Sequence, residues 1–186
     1  FNVDEAVSLL SSEAAIDYVD VSKHFPDKIT ISIVEREPVA MTFVNNGTCT
    51  VPVSIDSKGV LFPENQTAVT DSDRIPIISG LPVEHLTGGM RVPAKYRALI
   101  EQIAKIRSLP QKYFAAISEI CVVPKEYGNY ELVLIPAHSK TRVLTDRALN
   151  EDALQYMMIV LDVVNSIQPD VSEIDLRYGS VSYRTR

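Results

Sequence analysis

The chain has 186 residues, 46% of them hydrophobic and 23% charged, with 18 Lys and Arg against 24 Asp and Glu. The apolar fraction excludes a disordered chain, and the length suits one large domain or two small ones around a real core. A net charge of -6 argues against a nucleic-acid-binding protein, because phosphate contacts require an excess of basic residues. No apolar run approaches the roughly 18–20 residues that cross a bilayer.

The first part of the chain predicts a helix followed by a β-hairpin. Apolar residues at helical spacing and an acidic first turn predict a short helix over residues 3–11. Farther on, β-branched residues alternate strictly with polar ones, at Ile29, Ile31 and Ile33. This pattern predicts a strand that pairs with residues 17–24 and ends at Pro38, since proline donates no backbone hydrogen bond.

A second unit is predicted to begin near residue 41, where short apolar segments separated by turn signals replace the earlier pattern. The predicted strands are residues 41–44, 48–55, 60–62, 75–80, 117–123, 130–135 and 141–144, of which the last three are expected to form a meander. Between them, Pro93 and an apolar face predict an amphipathic helix over residues 93–108. We expect one continuous curved sheet that carries two long helices.

The second long helix begins after Asn150, which is a suitable N-cap followed by Glu151 and Asp152. The apolar positions predicted to face the core are Leu154, Met157, Met158, Leu161, Val164 and Ile167. A partner-binding groove on this Leu and Met face is the less favoured alternative. Residues 172–183 then alternate like a strand, bent at Gly179, and form a terminal strand.

This terminal strand is the strongest candidate for a binding surface. A strand at a sheet edge exposes N–H and C=O groups on which another chain can add a strand. The alternatives, a strand paired on both sides or an edge blunted by Arg184 and Arg186, remain open from the pattern alone.

Catalytic and metal-binding motifs are not found in the sequence, which holds no glycine-rich phosphate loop, nucleophile elbow or Cys and His cluster. Isolated ionisable and thiol side chains are interpreted as structural or solvated: His24, His85, His138, Glu35, Arg36, Glu37, Cys49 and Cys121. The two cysteines are expected to be buried thiols, with a disulfide left open. Glycosylation patterns at Asn46 and Asn65 are interpreted as turns. We predict no catalytic residue, no metal site and no cofactor.

Four segments of the chain follow one another in an order typical of a single family. They are Val19 to Ala40 (with Phe25-Pro26-Asp27 and Glu35-Arg36-Glu37-Pro38), Ile55 to Phe62 (with Asp56 and Gly59), Ile75 to Gly80, and Ile174-Asp175-Leu176-Arg177-Tyr178. Together these segments resemble the FtsQ/DivIB family of bacterial cell-division proteins. The resemblance extends over nearly the whole chain.

The resemblance implies a single-pass protein of the cytoplasmic (inner) membrane, with an extracytoplasmic POTRA domain and a larger β-domain at the division septum. The abrupt start at Phe1 then suggests a fragment that lacks the anchor and the first POTRA strand. The expected fold is α+β: a truncated POTRA domain over residues 1–40 (helices plus a β-hairpin), then a curved, mostly antiparallel β-domain with two long helices over residues 41–186.

The resemblance also implies a non-enzymatic divisome scaffold that helps to regulate septal peptidoglycan synthesis. Its partners would be coiled-coil division proteins of the FtsB and FtsL (DivIC and FtsL) type and other divisome components, with no nucleic acid and no small-molecule substrate. In the family the last strand and the adjoining helix receive the FtsB-type partner. The residues carried over to this sequence are Arg177, Tyr178, Ser180, Val181 and Tyr183, with Arg177 facing an acidic partner side chain and Tyr178 acting as an anchor.

A second hypothesis from another class is a POTRA-bearing, chaperone-like module of outer-membrane protein assembly or secretion. Such a module would hold client strands transiently, whereas a scaffold holds a dedicated partner. Tandem POTRA repeats would favour it, and the sequence contains one such unit.

Overall fold

The computed structural model describes residues 2–45, 47–63, 75–83, 87, 89–111 and 113–186. Within these residues the protein is α+β, with three α-helices and two sheets, one of two strands and one of nine. This confirms the predicted α+β class, in which a helix and hairpin precede a larger sheet with two helices. His85 and the glycosylation patterns at Asn46 and Asn65 depend on residues outside the described ranges.

The hairpin unit, which we define as residues 2–35, consists of α1 (Val3–Ser11), β1 (Ile16–His24) and β2 (Lys28–Glu35). Helix α1 begins at Asn2, whose side-chain oxygen accepts the Asp4 N–H at 3.1 Å. Strands β1 and β2 pair antiparallel, as predicted. The helix packs on β1, where Val19 and Val21 are buried.

The large sheet has the strand order β11-β10-β9-β8-β7-β6-β3-β4-β5. It is mixed, because β3–β6, β6–β7 and β9–β10 pair in parallel and the other neighbours pair antiparallel. The elements are β3 (Pro38–Asn45), β4 (Thr50–Asp56), β5 (Leu61–Pro63), β6 (Ile77–Ser79), α2 (Arg97–Arg107), β7 (Ile117–Pro124), β8 (Tyr130–Pro136), β9 (Arg142–Thr145), α3 (Glu151–Ile167), β10 (Val171–Asp175) and β11 (Ser182–Thr185).

The predicted meander of β7, β8 and β9 and the two long helices are confirmed. Asn150 caps α3 as expected, because its side-chain oxygen accepts the Ala153 N–H at 2.9 Å. Both helices bury apolar residues in the same core as the sheet. One assignment was wrong: Ile167 is 73% exposed and does not face the core.

The prediction of a single terminal strand over residues 172–183 was also wrong. The tail forms a hairpin, in which β10 ends at Asp175 and the chain reverses before β11. The reversal has a local cause, because the Asp175 carboxylate accepts the Arg177 N–H at 3.0 Å and so competes with strand pairing. Gly179 then takes a φ of +71°, which favours glycine.

Gly80 provides the sharpest test of the packing between β6 and β7. Its φ is +78°, and a Cβ atom there would lie 2.2 Å from the Val122 carbonyl oxygen. Gly179 has a similar φ of +71° but nothing within 4 Å of an added Cβ. We expect Gly179→Ala to cost about 1 kcal/mol of unfolding free energy for its left-handed backbone. Gly80→Ala should cost at least about 2 kcal/mol more, because carbonyl and Cβ overlap.

Urea denaturation of both variants measures this difference. Equal losses of unfolding free energy in the two variants would contradict the close approach of β6 to β7.

Candidate functional site

The candidate site lies at the β11 edge of the large sheet, because the β5 edge is largely covered and the β11 edge is open. At the other edge, β5 is three residues long, ends in a proline without an N–H, and buries Leu61 and Phe62. The Leu61 N–H there donates to the Met90 carbonyl at 2.8 Å. By contrast, all four residues of β11 are exposed. In the described part of the chain β11 pairs with β10 alone, which leaves its outer side open.

The two faces of β11 differ in chemistry. Tyr183 lies directly opposite Ile174, and residues opposite each other in an antiparallel pair share one face of the sheet. Ile174 is fully buried in the core that α3 covers, so Tyr183 lies on the α3 side. Ser182 and Arg184, opposite Asp175 and Glu173, lie on the other face. One face of β11 is therefore aromatic and the other basic and polar.

A row of exposed apolar residues runs along α3. Its members recur at helical spacing, and their exposed fractions are high: Tyr156 48%, Ile159 62%, Val163 51% and Ile167 73%. We call this row the α3 stripe. Exposed apolar side chains in a contiguous row, unlike scattered ones, are typical of an interaction surface.

The helical wheel places the α3 stripe on the side of β10 and β11. The opposite flank of the helix carries Met158, Asp162 and Asn165, which line a cavity with Ala116 and His138 at the ends of β7 and β8. Since β7 and β8 lie on one side of β9 and β10 and β11 on the other, the stripe faces the open edge. The stripe and Tyr183 thus lie on the same side of the sheet, toward its open edge.

An ion-pair cluster fixes the start of the terminal turn. The Arg177 guanidinium donates to both oxygens of Asp175, from Nε at 2.9 Å and Nη2 at 2.5 Å. Its Nη1 donates to Glu131 on β8 at 2.7 Å, and Glu131 also accepts Lys125 Nζ at 3.0 Å. The side chains of Arg177, Asp175 and Glu131 are 18%, 20% and 26% exposed, so water screens them only partly.

The cluster shifts the protonation of its members in the direction of full ionisation. Hydrogen bonds from Arg177 hold the pKa of Asp175 below its usual value. Those from Lys125 and Arg177 lower the pKa of Glu131, and the two carboxylates raise that of Arg177. Arg177 is thus engaged within the chain, and a partner's carboxylate would have to compete with Asp175 and Glu131 for it.

The other carried-over residues lie in and after the turn. Tyr178 is 74% exposed, and its ring centre lies 5.1 Å from the guanidinium carbon of Arg177. Ser180 is exposed, and Val181 and Tyr183 are 39% and 54% exposed. The structure therefore places Tyr178, Ser180, Val181 and Tyr183 on one accessible hairpin, with Arg177 at the start of its turn and largely shielded from water. The α3 stripe joins this set. The resemblance implied a partner-binding role for the helix next to the terminal strand, but Tyr156, Ile159 and Val163 were not among the predicted residues and Ile167 was assigned to the core.

The remaining ionisable candidates do not converge on a reactive site. His24 and His138 are exposed and belong to different units, and no group of three or more His, Cys, Asp or Glu in the described ranges suits a metal ion. Cys49 is exposed, so the expectation of two buried thiols was wrong for it. Cys121 is partly buried, and this burial raises its thiol pKa. No helix in the described residues is long and apolar enough to cross a membrane.

The Arg177 cluster predicts that the free energy of unfolding decreases at acid pH. Because the folded-state pKa of Asp175 and Glu131 is lowered, their contribution is fully present above the unfolded values of about 4 and is lost as the pH falls below them. Arg177→Gln should lower the unfolding free energy at pH 7 by roughly 1–2 kcal/mol and flatten its decline toward acid.

Carbon-detected NMR titration of the Asp175 carboxyl measures the same linkage directly. Its pKa should rise in Arg177→Gln and stay constant in Arg142→Gln, which removes the neighbouring Arg142–Glu173 pair at 2.7 Å. An unchanged Asp175 titration in Arg177→Gln would contradict the assignment.

Comparisons with known proteins leave the family open. No protein-family model matches the chain. The curated proteins likewise contain no match. The resemblance to the FtsQ/DivIB family therefore rests on the four quoted segments, and the function proposed below rests on those segments and on the geometry of the β11 edge.

Proposed function

We propose that this protein is a non-enzymatic scaffold of bacterial cell division of the FtsQ/DivIB type. In this proposal the hairpin unit is the POTRA-type part, and the large sheet is the β-domain that links partner proteins. The partners are FtsB-type and FtsL-type coiled-coil proteins, bound on the extracytoplasmic side of the inner membrane at the septum. Through them the scaffold helps to regulate peptidoglycan synthesis.

One observation carries the proposal: the open edge of β11 lies beside the α3 stripe. A strand added to β11 satisfies the outward N–H and C=O groups of that edge, and these bonds are independent of sequence. The α3 stripe can then bury the apolar face of a helix that precedes or follows the added strand. A coiled-coil protein with an extended segment beside its helix has this chemistry.

The charges at the edge favour an acidic partner segment. Arg184 lies on the face of β11 away from α3, and no ion pair to its guanidinium is present in the part of the chain that the structure describes. Pairing with a second copy of β11 would bring arginines close together, which disfavours self-association. An added strand with acidic residues opposite Arg184 and apolar residues beside Tyr183 meets both faces.

The hairpin unit supports the chaperone-like alternative through one feature. On β2, Ile29, Ile31 and Ile33 are 42%, 49% and 47% exposed and form one row. The outer edge of β2 is open within the described residues, so an unfolded client strand could also add there. The two functions differ in which edge binds, and in whether binding needs a dedicated sequence.

Calorimetric binding to the extracytoplasmic domain of the same organism's FtsB-type protein tests the scaffold proposal. Tyr183→Ala should weaken binding about 10-fold or more, because buried tyrosines dominate such interfaces. Ile159→Asp with Val163→Asp should weaken it further, since the partner would then bury two charges on the α3 stripe. Tyr18→Ala on β1 is the matched control, because Tyr18 is 59% exposed, close to the 54% of Tyr183.

Loss of binding in Tyr18→Ala with retention in Tyr183→Ala would contradict the β11 site. It would favour the hairpin unit and hence the chaperone-like alternative.

The charge of the edge gives a separate prediction for the same complex. Arg184→Glu should reduce the association rate, because an acidic partner segment then approaches a like charge. Added salt should slow association of the parent protein and speed association of the variant, because salt screens attraction in the first case and repulsion in the second. Stopped-flow association at low and high ionic strength measures both effects. A rate that rises in Arg184→Glu would show that the partner segment is basic.

A further inference from the structure

The hairpin unit and the large sheet are connected by a very short link. Strand β2 ends at Glu35 and β3 begins at Pro38, so Arg36 and Glu37 alone separate the two sheets. Glu37 is exposed, whereas the Arg36 side chain is only 15% exposed. The sequence pattern had suggested a solvated strand end here, which is wrong for Arg36.

Within the described residues, the buried core of the large sheet does not extend into the hairpin unit. The main core starts at Val39 and includes no residue of the hairpin unit, whose buried Val19 and Val21 lie under α1 instead. Among the helices and strands that the structure describes, extensive packing of α1, β1 and β2 is confined to the pairs α1–β1 and β1–β2. Units without a large apolar interface move relative to each other unless other contacts restrain them.

Charged groups supply those contacts at the link. Arg36 donates from Nε to the Ala14 carbonyl at 2.9 Å, and from Nη1 to Asp17 at 2.9 Å and Asp56 at 2.6 Å. Asp17 belongs to β1, and Asp56 ends β4 of the large sheet. One guanidinium therefore bridges both units.

Lys58 forms a second bridge. It follows β4 in the chain, and its Nζ lies 2.7 Å and 2.8 Å from the two carboxylate oxygens of Asp17. The Lys58 hydrogen bond and the nearby Arg36 hold the pKa of Asp17 below its usual value, so that the carboxylate stays charged at neutral pH. Asp17 thus accepts from Lys58 of the large sheet and from Arg36 of the link.

We propose that Arg36, Asp17, Asp56 and Lys58 form an electrostatic joint that sets the orientation of the hairpin unit relative to the large sheet. Arg36 is its positioning residue. Without these ion pairs both units remain folded and the hairpin unit pivots about residues 36 and 37. The proposal concerns the chain itself and is independent of any partner at β11.

The joint can be broken without unfolding the large sheet. The Asp56 carboxylate also accepts the Lys58 N–H at 2.9 Å and the Val60 N–H at 2.7 Å, so it keeps hydrogen-bond donors when Arg36 is replaced. A lysine at position 36 cannot reproduce these contacts, because its single ammonium nitrogen cannot reach all three acceptors that the planar guanidinium of Arg36 contacts.

Double electron–electron resonance (DEER), which measures the distance between two spin labels, tests the joint when one label is placed on each unit. One label is attached to the exposed native Cys49 between β3 and β4, and the other to Ser32→Cys on β2, in a Cys121→Ser background. The parent protein should give one narrow distance distribution. Arg36→Gln should broaden it at least twofold, and Arg36→Lys should lie between the two.

Two further variants keep the result decisive. Asp17→Asn removes the acceptor shared by Arg36 and Lys58 and should broaden the distribution even where Arg36→Gln folds poorly. Arg142→Gln removes an ion pair within the large sheet and should leave the width unchanged. The proposal would be overturned if the distance distribution of Asp17→Asn were as narrow as that of the parent protein, or if Arg142→Gln broadened it as much as Asp17→Asn does.

Discussion

The backbone N–H and C=O groups on the two edge strands of the large sheet are the constraint on which the other features of this structure depend. Every edge strand presents N–H and C=O groups that need a partner or water, and an uncovered edge invites another chain. Here β5 is short, proline-terminated and bridged to Met90, whereas β11 is exposed along its whole length. Of the two edges of the large sheet, the C-terminal one is therefore left open within the described residues.

The position of α3 follows from the parallel pairing of β9 and β10. Parallel neighbours require a crossover, and α3 is that crossover, so it lies over the strands next to the open edge. Its core face is buried, and its second apolar face, the α3 stripe, is left beside Tyr183. The same connection that completes the sheet therefore also supplies a place for a helix next to an added strand. In the proposed scaffold, the electrostatic joint at Arg36 would hold the hairpin unit in a defined direction relative to the β11 edge.

Much of the fold could be predicted from local patterns, and the exceptions have physical reasons. The alternation at Ile29, Ile31 and Ile33 and the cap at Asn150 are local signals, and both elements form as expected. The alternating pattern of residues 172–183 did not predict the break after Asp175. The hydrogen bond from the Arg177 N–H to the Asp175 carboxylate forms only in the turn, and alternation of apolar and polar residues does not reveal it. The sequence pattern predicts a solvated Arg36, which is wrong, because its partners Asp17 and Asp56 are distant in sequence. The sequence pattern assigned Ile167 to the core and gave Tyr156, Ile159 and Val163 no role, because exposed and buried apolar positions of a helix look alike until the sheet beneath it is known.

Amide hydrogen exchange of β11, followed by NMR with and without the extracytoplasmic domain of the proposed FtsB-type partner, tests the central claim most directly. At a free partner concentration of 100 times the dissociation constant, the outward N–H groups of β11 should exchange roughly 100-fold more slowly, because the added strand protects them. Protection that appears on β2 or elsewhere while β11 exchanges at its original rate would contradict strand addition at this edge.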